Sequence, residues 1–89
     1  MKVRKKPVVV EAWRLNSDDI EVIEVPPMWV MTAGHNGLLR RHFGGLWEIV
    51  TLEGTMCAHD GDYIIKGFHG ELYPIQKEIF EETYEVLQE

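Results

Sequence analysis

Glycine sets the grain of this chain. All eight glycines lie between residues 34 and 70, and no interval between neighbouring ones exceeds eight residues. A chain broken this often cannot hold long helices there, whereas short strands joined by tight turns suit it well. The intervals themselves are rich in β-branched and aromatic residues. Residues 46–52 (Leu-Trp-Glu-Ile-Val-Thr-Leu) alternate so that Trp47, Ile49 and Thr51 share one face and Leu46, Glu48, Val50 and Leu52 the other. The pair Gly44-Gly45 closes a hairpin into that strand from residues 38–43, and Glu53-Gly54 makes the next turn into residues 55–58. After the His59-Asp60-Gly61-Asp62 turn comes a strand over residues 63–66. The loop at 67–70 then returns the chain into residues 71–74.

Outside the glycine-punctuated stretch the pattern changes. Residues 8–13 (Val-Val-Val-Glu-Ala-Trp) read as a first strand behind a basic lead-in. Asn16-Ser17-Asp18-Asp19 is a helix-start cluster, and Pro26-Pro27 limits any helix behind it to one or two turns. Residues 28–31 fit a short strand or a packed loop, and residues 33–37 a turn. Ile79, Phe80, Thr83, Tyr84 and Leu87 recur at three- and four-residue spacings, which predicts a helix over roughly 76–82 with a terminal strand after it. The expected fold is a single α+β domain: a small antiparallel sheet of about five strands, a meander or rolled sheet, with one or two short helices.

Eighty-nine residues bury only about 60–65% of the surface of the unfolded chain, so the core must be thin. A thin core in a chain with three tryptophans favours a homo-oligomer, which would hide further apolar surface. The one cysteine, Cys57, has no partner for an internal disulfide. The opening Met-Lys-Val-Arg-Lys-Lys-Pro has the charge of a leader, but only three valines follow before Glu11. No stretch approaches the roughly 18 apolar residues of a membrane helix. A cytoplasmic protein without a membrane partner is expected. The net charge of −6 argues against nucleic acid as a partner. Basic residues gather at the start (Lys2, Arg4, Lys5, Lys6 and Arg14 against Glu11) and acidic ones at the end (Glu71, Glu78, Glu81, Glu82, Glu85 and Glu89 against Lys77). That asymmetry suits neighbouring or simply solvated termini better than head-to-tail association.

Several blocks occur in order at familiar spacing: residues 4–12 (Arg-Lys-Lys-Pro-Val-Val-Val-Glu-Ala), 52–56 (Leu-Glu-Gly-Thr-Met), 61–67 (Gly-Asp-Tyr-Ile-Ile-Lys-Gly), 70–74 (Gly-Glu-Leu-Tyr-Pro) and 79–85 (Ile-Phe-Glu-Glu-Thr-Tyr-Glu). Together they resemble a family of small phage and prophage proteins marked by a Pro-Gly-Asp-Tyr-Ile motif, for which no biochemical activity is established. Where the motif has Pro, this chain has Asp60, and residues 24–45 match none of the blocks. The resemblance implies an accessory protein acting in the host cell cytoplasm, where counter-defence by capture of a signalling nucleotide is one such role. The motif also has a physical reading: Gly61 permits a sharp turn, Asp62 can accept from nearby backbone amides, and residues 63–65 supply a buried strand.

No catalytic constellation is visible. Cys57 and His59 share a face in an extended segment, but no orienting group or oxyanion hole is announced. His35, His42, His69 and Asp62 complete no recognised metal spacing, so neither metal nor other cofactor is expected. The paired acids Asp60/Asp62 and Glu81/Glu82 read as turn and solvated helix face. The most site-like stretch runs from Trp29 to Trp47, with His35, Arg40, Arg41 and His42 between them. Guanidinium and imidazole groups bind phosphate oxygens, and indoles stack on bases. On a strand Arg40 and His42 should act together while Arg41 faces away. These six residues are the expected ligand contacts of a non-enzymatic binder of a small anionic, nucleotide-like ligand or a host factor. The alternative is a protein-interaction or minor virion component working through exposed sheet edges.

Overall fold

The sheet edges and turns can be traced in a computed structural model that describes residues 1–4, 6–15 and 25–87. In chain order the elements are β1 (Glu11–Arg14), α1 (Met28–His35), β2 (Leu39–Arg41), β3 (Leu46–Thr51), β4 (Gly54–His59), β5 (Tyr63–Lys66), β6 (Leu72–Ile75) and α2 (Lys77–Thr83). The α+β fold is as expected, but among the described residues six strands form two antiparallel sheets of three, ordered β2-β3-β4 and β1-β5-β6. The first is a local meander. The second is not, since β1 crosses the molecule to pair with β5, Trp13 opposite Ile64. Turn signals link strands that are neighbours in sequence and carry no record of such a long-range pairing.

Two turns show how the sequence places the sheets. Between β3 and β4 the Thr51 hydroxyl accepts from the Glu53 amide and donates to the Gly54 carbonyl, locking a two-residue loop. Between β4 and β5 the chain changes sheets. There Asp62 Oδ2 accepts from the His59 amide at 3.0 Å and Oδ1 from the Lys77 amide at 3.3 Å, so one carboxylate joins β4, the crossing turn and the start of α2. Gly61, at φ 94°, donates to the Leu15 carbonyl at 2.6 Å, while Leu15 donates to the Asp62 carbonyl. The Gly-Asp-Tyr motif is thus a junction between the two sheets.

The core follows from strand alternation. Ile49 and Ala58 point inward from the first sheet and Ile64 and Leu72 from the second. They meet Leu15, Val30, Ala33 and Leu39, with Trp13, Trp29 and Trp47 half-buried against them. Ile65 is also buried, on the far face of β5. Beside it Tyr63 stacks on Phe80 of α2 with ring centroids 3.7 Å apart, and Phe80 stacks in turn on Tyr84. The second sheet is therefore covered by α2 on one face and by the first sheet on the other.

Several boundaries differ from the sequence reading. Residues 28–31, expected as strand or loop, begin α1: Val30 and Ala33, three apart, bury one side, and the Pro27 carbonyl accepts from Val30 and Met31. The turn expected at 33–37 shrinks to Asn36 and Gly37. The first strand starts at Glu11 rather than residue 8. No terminal strand follows α2 among the described residues; Tyr84, extended in backbone, stacks its ring on Phe80 instead. The helix start expected at residues 16–19 lies outside the described residues. No helix among the described residues is long and apolar enough to cross a membrane.

Candidate functional site: a groove beside the first helix

The six expected ligand contacts divide among three places. On the outer face of the first sheet, Arg40 is exposed and lies opposite Glu48 in register. His42, two residues on, sets its Nε2 3.2 Å from Glu48 Oε1. On the opposite face, Arg41 donates from Nε and Nη2 to the two Asp60 oxygens at 3.1 and 2.7 Å, and Trp47 Nε1 donates to Asp60 Oδ1 at 2.6 Å. Alternation thus separates Arg41 from Arg40 and His42 as expected, but the anion that gathers Arg41 and Trp47 is the protein's own Asp60. This is the position at which the sequence departs from the phage motif. His35 is exposed at the end of α1. Of the six, Trp29 lines the cavity beside α1.

That cavity is an open groove of about 670 Å³ between α1 and the second sheet. One wall comes from α1, where Met28, Trp29, Thr32 and Ala33 face it, with Asn36 just beyond the helix. The floor is a single row across the second sheet. Glu11 of β1, Lys66 of β5 and Leu72 of β6 are direct cross-strand neighbours and all three line the groove. Side chains in such a row stand about 4.5–5.5 Å apart at Cβ. The groove therefore offers an indole and aliphatic surface along one side, with a cation and a carboxylate set next to each other below. Met28 is 74% and Met31 53% exposed, so the apolar strip runs past the rim of the groove onto the surface.

Lys66 and Glu11 were not picked out by sequence reasoning. Glu11 lay inside the expected first strand and Lys66 at the end of the strand over 63–66, and only the β1–β5 register brings them together. The available signal was parity: Lys66 shares its face of β5 with Ile64, the side turned to the core.

Cys57 is exposed, opposite Glu48 on the outer face of the first sheet, and the Asp62 carboxylate accepts from the His59 and Lys77 backbone amides. The Tyr73 hydroxyl, 3.3 Å from that of Tyr84, is pushed up to about 12 by burial, by that hydrogen bond and by the charges of Tyr84 and Glu71, so it stays protonated at neutral pH. Among the described residues no three His, Cys, Asp or Glu side chains are grouped to hold a metal ion. Against models of protein families, curated proteins and solved structures, the chain has no match.

Proposed function

We propose that this protein is a non-enzymatic binder that captures a small aromatic anion, of nucleotide-like chemistry, in the groove beside α1. The observation that carries the reading is the placement of Trp29 above the Glu11–Lys66–Leu72 row. An indole face accepts any flat ring, Lys66 answers a phosphate or carboxylate, and Glu11 accepts from an amino group on the ring. A volume of about 670 Å³ lies within the range of small-molecule sites and is ample for a mononucleotide. The resemblance to phage accessory proteins suits a molecule that acts by capture.

Calorimetric titration with AMP, GMP, CMP and UMP, with adenosine and inorganic phosphate as half-ligands, tests this. Saturable binding of at least one nucleotide is expected, weaker for either half-ligand. Lys66→Ala should weaken it by about 1.5–3 kcal/mol through the lost charge-assisted contact. Trp29→Leu, which keeps apolar bulk against the core, should weaken it by about 1–3 kcal/mol through lost stacking. Binding that ignores both substitutions, or no binding by a folded protein, removes the reading.

A further inference from the structure

A sheet edge exposes a row of unpaired backbone groups, and proteins ordinarily blunt such edges with charge, proline or shortness. Among the described residues three of the four sheet edges are blunted. β1 carries Glu11 and Arg14, β2 is three residues long with Arg40 and Arg41, and β6 contains Pro74, which has no amide hydrogen to offer. The fourth edge is β4, six residues reading Gly-Thr-Met-Cys-Ala-His, with neither charge nor proline. Gly54 to Cys57 are all exposed.

Hydrogen-bond parity says which groups on that edge are free. Val50 donates to the Leu38 carbonyl and Leu46 accepts from His42, so the even residues of β3 turn their backbone toward β2. The odd residues Trp47, Ile49 and Thr51 then turn toward β4, where their partners are Ala58, Met56 and Gly54. Thr55, Cys57 and His59 accordingly point their amides and carbonyls outward. His59 is already engaged, its amide with Asp62 Oδ2 and its carbonyl with the Asp62 amide. Among the described residues, what remains is one amide and one carbonyl on each of Thr55 and Cys57.

We infer that β4 pairs antiparallel with β4 of a second copy of this chain about a two-fold axis at Met56. In that register Thr55 faces the partner's Cys57 and Cys57 the partner's Thr55, so four hydrogen bonds satisfy all the free groups on both edges. The two Met56 side chains, each 41% exposed in one chain, meet on the axis, and the two three-stranded sheets become one of six strands. Two copies of a chain with net charge −6 repel each other. The uncharged β4 edge is where they approach without setting like charges side by side, which favours a second copy over a charged partner.

Sedimentation equilibrium over a concentration series, with non-reducing electrophoresis, tests the pairing. The wild-type chain should sediment as a dimer. Thr55→Lys should raise the dissociation constant about tenfold or more, since it places two cations beside the axis while each subunit keeps its fold by circular dichroism. Directly opposed hydrogen-bonded residues lie about 5.5 Å apart at Cα, within the range a disulfide spans. Thr55→Cys should therefore give a disulfide-linked dimer on mild oxidation, with the new thiol joined to the partner's Cys57, whereas wild type, whose two Cys57 residues are offset, should not. A wild-type chain that stays monomeric throughout the series overturns the inference, as does a Thr55→Lys dimer of unchanged affinity or a Thr55→Cys protein that does not cross-link between chains.

Discussion

Gly44 and Gly45 form the β2–β3 turn at nearly equal backbone angles, φ 83° and 80°, yet their surroundings differ. A Cβ built on Gly44 meets nothing within 4 Å, whereas one on Gly45 would lie 2.6 Å from Asp60 Oδ2 and 3.0 Å from its Cγ. Alanine at either position bears the left-handed backbone cost, about 1–2 kcal/mol. Gly45→Ala must in addition push the Asp60 carboxylate off Arg41 and Trp47. The ion pair is partly exposed, Arg41 at 44% of its side chain, and so contributes no more than about 0.5–1 kcal/mol. The indole bond to a carboxylate, at 2.6 Å and partly buried, contributes about 1–2 kcal/mol. Gly45→Ala should thus cost about 1.5–3 kcal/mol more than Gly44→Ala in urea unfolding followed by circular dichroism. In an Asp60→Ala background that excess should vanish, because the methyl then has room and nothing is left to displace. Equal costs for the two alanines, or an excess that persists without Asp60, would refute the reasoning and with it the structural role given to Asp60.

Two further outcomes follow from the same geometry. Gly61→Val, at φ 94° in the turn that joins the sheets, should lower stability by about 2–3 kcal/mol, read from the same urea transition; a variant that unfolds like wild type would mean the turn tolerates a branched side chain. The raised Tyr73 hydroxyl should make stability fall with pH: in the folded chain it holds its proton up to about 12, while the unfolded chain releases it near 10, so the contribution is whole below pH 10 and is lost as pH rises toward 12. Solvent screening at this part-buried site limits that contribution to roughly 1 kcal/mol, and Tyr73→Phe should flatten the slope between pH 10 and 12.

The sheet pattern was readable because glycine marks every turn of the meander and alternation in residues 46–52 sorts its side chains onto two faces. Which of them is inner, the one carrying Trp47 and Ile49, is set by packing against the second sheet and α1. α1 was not readable. It begins at Met28 directly behind two prolines, lacks a side-chain cap and contains Gly34, so tertiary burial of Val30 and Ala33 rather than local propensity makes it a helix. The groove was half readable. Trp29 stood out as an aromatic in a stretch rich in cations, but the cation beside it is Lys66, brought there by the pairing of β1 with β5 across the molecule. Arg40, Arg41 and His42 drew attention by chemistry alone. Their positions show that a hairpin cation is readily answered by the fold's own acids, as Asp60 answers Arg41, while His42 sits beside Glu48.

The account rests most heavily on where a ligand sits, and the indole resonances report that directly. Trp13, Trp29 and Trp47 each give one Nε1–H signal in a ¹⁵N-correlated spectrum, assignable from single Trp→Phe variants. Titration with the tightest-binding mononucleotide should shift Trp29, together with the backbone amides of Asn36 and Lys66. Trp47, held on Asp60 at the other end of the first sheet's inner face, should stay still. Shifts concentrated instead at Arg40, His42 and Trp47 with Trp29 unmoved would contradict the account and return the site to the hairpin.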